Sequence, residues 1–93
     1  MPYIKEEDRV YFEDATDDII DSILAETSET SRAGMLNYCI SRIIAELLDA
    51  EGTTYNRINT YIGVLECAKL ELYRRVAVDY EDDKARANGD IYS

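Results

Sequence analysis

The chain contains no histidine and no tryptophan, one proline and four glycines in 93 residues. The missing histidine removes the commonest general base and the commonest metal ligand. Two cysteines, Cys39 and Cys67, cannot complete a four-ligand structural zinc site without it. No phosphate-binding P-loop, dinucleotide glycine fingerprint or Gly-x-Ser-x-Gly elbow occurs. No apolar run approaches the roughly 20 residues needed to cross a bilayer. The start, Met1-Pro2-Tyr3-Ile4-Lys5-Glu6-Glu7-Asp8, lacks the basic and apolar regions of a signal peptide. These absences predict a cytoplasmic protein that is not an enzyme, holds no cofactor or metal and touches no membrane. So little proline and glycine also predicts few turns, and therefore few, long elements.

Acid is abundant and unevenly spread, with a formal net charge of −10. Residues 1–30 hold ten acids and two bases, whereas residues 31–50 hold two of each and residues 51–80 four of each. Residues 81–93 add four acids and two bases. A chain with this surface repels duplex nucleic acid, whose binding needs a basic footprint. A small anion held in the neutral middle is compatible with it. Carboxylate pairs such as Asp17 and Asp21 read as a solvated helix face.

The hydrophobic spacing predicts an all-α fold in one domain, residues 1–93, with a loose segment over 1–11 and a frayed tail over 90–93. Phe12, Ala15, Ile19, Ile20 and Ile23 repeat at three to four residues and define a first, shorter helix from Phe12 to Glu26. Thr27-Ser28-Glu29-Thr30-Ser31 is a polar loop with N-cap residues. A second helix runs from Arg32 to Ala50, and Gly52 supplies its left-handed cap. Thr53 or Thr54 caps a long third helix from Tyr55 to Tyr80, and Asn88-Gly89 closes a last helical stretch. The second and third helices form a hairpin with the first packed across it.

The third helix carries two apolar faces. At 100° per residue Ile58, Ile62, Leu65, Leu72 and Val76 make a core stripe. Thr60, Gly63, Cys67, Leu70, Arg74 and Val78 lie almost opposite. A hairpin partner covers one face only. The other is covered by the first helix or by another copy. The short chain, and the close approach that Gly63 and Cys67 permit, favour a homo-oligomer with Thr60, Gly63, Cys67 and Leu70 at its interface. Both cysteines are expected as buried thiols. Lys69 falls in the middle of the core stripe and is expected to be buried. There it snorkels to an edge, pairs with Glu46 or Asp49 of the second helix, or meets an anion in a polar pocket.

Tyr55, Arg57, Tyr73, Arg74 and Arg75 on the third helix, with Asn37 and Tyr38 on the second, combine rings for stacking, amides for base edges and guanidinium forks for phosphate. With Lys69 they form the candidate ligand-binding set, suited to a small nucleotide-like molecule. Core or interface tyrosines are the plainer reading of the same rings.

Several blocks carry a family resemblance. They are Met1-Pro2-Tyr3-Ile4-Lys5-Glu6-Glu7-Asp8-Arg9, Leu36-Asn37-Tyr38, Gly63 to Arg75 (GVLECAKLELYRR), Tyr80-Glu81-Asp82 and Asn88-Gly89-Asp90. In this order they resemble a family of small uncharacterised proteins of tailed-phage and prokaryotic genomes, a domain of unknown function. The resemblance implies a phage or mobile-element origin, a host-cell cytoplasmic setting and no transferable site residues. Two expectations follow. One is an oligomer that sequesters a cyclic-nucleotide or cyclic-ADP-ribose type of signal at subunit interfaces, by analogy with phage immune-evasion sponges. The other is an acidic protein-interaction module: a host-protein inhibitor, a DNA mimic or a virion or regulatory accessory protein.

Overall fold

The computed structural model describes residues 2–92. Among them every regular element is helical and there is no strand. In chain order these are α1 (Glu6–Leu24), α2 (Glu29–Glu51), α3 (Tyr55–Leu72), a π-helical turn (Tyr73–Ala77) and α4 (Val78–Asn88). The last three run on without a break as one helical stretch of 34 residues. The predicted succession of a shorter first helix, a second helix and a long third stretch is observed.

The chain divides into two units, residues 3–58 and residues 59–92 with Pro2. In the first unit, α1 begins at Glu6, six residues before the predicted start. The Lys5 carbonyl accepts from the amides of Asp8 and Arg9 at 2.9 and 3.2 Å. Glu6, Glu7 and Asp8 then place negative charge at the positive end of the helix dipole. Arg9 Nε donates to the Ile4 carbonyl at 2.9 Å and ties the incoming strand of chain to the first turn.

The turn between α1 and α2 is organised by two side chains. The Glu26 carboxylate accepts from the amides of Thr27 and Ser28, both at 3.0 Å. Arg32 donates to the carbonyls of Glu26 and Leu24 at 2.6 and 3.3 Å, satisfying the open end of α1 from the first turns of α2. Ser28 caps α2 by accepting from the Ser31 amide at 3.3 Å, so the helix starts three residues before the prediction. Gly52 ends it at φ 92°, a left-handed conformation that a side chain disfavours. Thr54 accepts from the Arg57 amide at 3.2 Å and starts α3 as expected.

Helices α1 and α2 pack on one another. Ile19, Ile23, Arg32, Cys39, Ile44 and Leu48 are half-buried there, and no described residue of either unit is fully buried. The apolar stripes read from the sequence are present, but the core they were expected to build is not. Leu36, Ile43 and Leu47 of α2 stay exposed, as do Ile62, Leu65, Leu72 and Val76 of the long stretch. The second unit is a single helical line, so it has no second helix of its own to shield any face.

Candidate functional site

The predicted uninterrupted third helix is broken by the π turn, and this decides how its polar residues group. A π turn closes i→i+5 bonds and so absorbs about one extra residue; such turns are rare and recur at functional sites. With one residue absorbed, position 81 stands relative to position 73 as i+7 does in a regular helix, on the same face. Tyr73 Oη accordingly donates to Glu81 Oε2 at 3.4 Å across the turn.

Arg74 and Arg75 both lie in the π turn and both engage Glu71. Arg74 Nη2 reaches the two carboxylate oxygens at 2.9 and 3.1 Å, and Arg75 Nε reaches Oε1 at 3.1 Å. Glu71 is covered by this clamp to 18% side-chain exposure, while the guanidinium groups stay mostly in solvent. One turn earlier, Lys69 Nζ pairs with Glu66 Oε1 at 3.2 Å. Lys69, Arg74 and Arg75 are therefore each held by an acid of their own helical stretch, and all three side chains stay mostly in solvent.

Lys69 does not meet the expectation of a buried ammonium. Its side chain is 70% exposed, and its partner is Glu66, not Glu46 or Asp49. Ile62, Leu65, Leu72 and Val76, the stripe in which the helical wheel puts Lys69, are themselves exposed. No desolvation penalty arises at an open stripe. The thiols depart from expectation for the same reason: Cys39 is half-buried and Cys67 is exposed, both free.

The other candidate residues belong to the first unit. Arg57 donates through Nη1 to the Gly52 carbonyl at 3.0 Å and lies 3.8 Å from Glu51, so it serves the turn between α2 and α3. Tyr55 is 85% exposed at the start of α3. Asn37 accepts from Ser41 Oγ at 3.1 Å. Tyr38 Oη accepts from Arg42 Nη1 at 3.4 Å. That bond, followed by the attraction of Tyr38 and Glu46, raises the Arg42 pKa above its ordinary value.

Tyr38 and Arg42 also edge a hollow of about 630 Å³, which Ile19, Cys39, Ile43 and Leu47 line with apolar groups. Arg42 and Glu46 lie outside the candidate set. The signal was available, because 38, 42 and 46 recur at i+4. Glu71 was likewise missed, although its i+3 and i+4 spacing to Arg74 and Arg75 is the usual geometry of helical ion pairs.

Among the described residues no group of histidine, cysteine, aspartate and glutamate is arranged to hold a metal ion, and no helix is long and apolar enough to cross a membrane. What the fold and the side chains define is a small all-helical protein with exposed apolar faces and self-paired cations. The chain belongs to the family described as Domain of unknown function (DUF6899), whose model matches residues 1–91. Comparison with curated proteins and with solved structures gives no match.

Proposed function

We propose that this chain is a non-catalytic binding protein that acts through its open helix faces, as a protein-interaction module. One observation carries the reading: bulky apolar side chains line α2 and the long helical stretch, and none of them is buried. Contiguous exposed apolar surface with a polar rim is the usual mark of an interface. The acid of α1, eight carboxylates against Arg9, lies in the same unit as the α2 face and favours a basic partner surface there. A phage or mobile-element product that inhibits or assists another protein fits this chemistry.

The test is whether the faces are open in solution. An environment-sensitive dye such as ANS should bind the isolated chain at low concentration, and amide exchange should be fast through residues 59–88. A monomer that binds no dye and protects both units equally would end the reading.

A second reading, a nucleotide-derived anion held between subunits, is favoured by one specific observation. The π turn and the turn before it gather Lys69, Tyr73, Arg74 and Arg75 within seven residues. An incoming phosphate would compete with Glu66 and Glu71 for these cations, and Tyr73 would stack on a base. A thermal-shift panel of cyclic mono- and oligonucleotides tests it. A ligand at 100 times its dissociation constant stabilises by about 2.7 kcal/mol, and no shift across the panel rejects the reading.

A further inference from the structure

Resting on the protein-interaction reading, we infer that one partner of the long helix is a second copy of this chain, seated on the face of Gly63 and Leu70. The two residues are seven apart, which is two turns and about 10.5 Å along a helix, and they differ by only about 20° around it. Leu70 projects into solvent, 55% exposed. A Cβ built on Gly63 meets no atom within 4 Å. The face thus presents a knob and a hole side by side, both open.

A two-fold axis between them, near residues 66 and 67, places Leu70 of each copy over Gly63 of the other. An isologous contact has this form, in which residue i meets j and j meets i. The exposed Cys67 lies close to that axis and is small enough to allow close approach of the two helices. Pro2 flanks the neighbouring side of the helix, against Val64, Cys67 and Ala68, where it lines a hollow of about 110 Å³.

Charge selects the same place. Two copies of a chain carrying −10 meet with least repulsion along a neutral surface. Helix α1 has eight acids and one base, so it repels its counterpart. Helix α3 has two acids, Glu66 and Glu71, and two bases, Arg57 and Lys69. The opposite stripe of Ile62, Leu65, Leu72 and Val76 stays available to whatever else the protein binds.

The test uses the whole chain and measures association by sedimentation equilibrium. Wild type should dimerise or assemble further. Gly63→Leu fills the hole and should weaken association by roughly ten- to hundredfold, the effect of overpacking one site. Its helix content should hold or rise, since leucine is a better helix former than glycine and nothing crowds the site. The exchange Gly63→Leu with Leu70→Gly moves the knob to the hole and should recover most of the association. A wild type that stays monomeric at all concentrations overturns the inference. So does a dimer indifferent to Gly63→Leu, or one that the exchange fails to restore. A monomer that still binds ANS defeats the second copy but leaves the interaction reading standing, whereas a monomer that binds none defeats both.

Discussion

The two units use similar residues and reach different ends. Residues 3–58 supply two helices, α1 and α2, which pack on one another, and Ile19, Ile23, Arg32, Cys39, Ile44 and Leu48 of these helices become half-buried. Residues 59–92 supply one helical line, broken only by a π turn, and leave Ile62, Leu72 and Val76 at 58%, 63% and 58% exposure. A paired helix shields one of its own faces. A helix without a partner in its unit shields none, however regular its stripe. The second unit therefore depends on something outside itself for burial.

Mutations that separate the units should rank accordingly. The largest effect is expected for Ile44→Asp, which puts an unpaired charge into the half-buried seam of the first unit. A loss of about 2–3 kcal/mol in urea unfolding is anticipated, and Ile62→Asp in the second unit of a monomeric variant should cost under about 1 kcal/mol. Equal losses at the two sites would erase the contrast between paired and unpaired helices.

Next in size is Gly52→Val, at the φ of 92° that ends α2. It should cost about 1–2 kcal/mol by thermal melting, because a β-branched residue resists the left-handed region. Ser28→Ala removes the α2 cap and should cost about 0.5–1 kcal/mol. A helix content unchanged by both would mean the turns of the first unit are held by other bonds, with Arg32 the first to examine.

The smallest effect is expected for Lys69→Met. The exposed pair with Glu66 is of the class worth about 0–1 kcal/mol, so melting should move little. The 3–5 kcal/mol loss expected of a broken buried ion pair would instead place Lys69 in a covered stripe of the assembled protein. Melting the mutant at low and high protein concentration separates these cases.

Local rules were legible in the sequence. Ser28, Gly52, Thr54 and Gly89 mark helix ends because capping uses atoms within four residues of the cap. The start of α1 lies six residues before the apolar spacing begins, because the acids Glu6, Glu7 and Asp8 favour a helical first turn without adding to an apolar stripe. The π turn left no sign in the spacing, and with it went the pairing of Tyr73 with Glu81. The candidate set holds cations and rings but neither Arg42 nor the acids that pair with its cations, Glu66 and Glu71.

Composition and periodicity by themselves determined that this protein is helical, where its helices end and which residues form apolar stripes. Each of these follows from hydrogen bonds and side-chain positions within a turn or two. Only the tertiary structure decided which stripes are covered. Burial depends on what lies against a face, and a wheel drawn on one helix holds no information about its neighbour. Lys69 shows the difference: its place on a wheel says nothing of what covers it, and its side chain is 70% exposed.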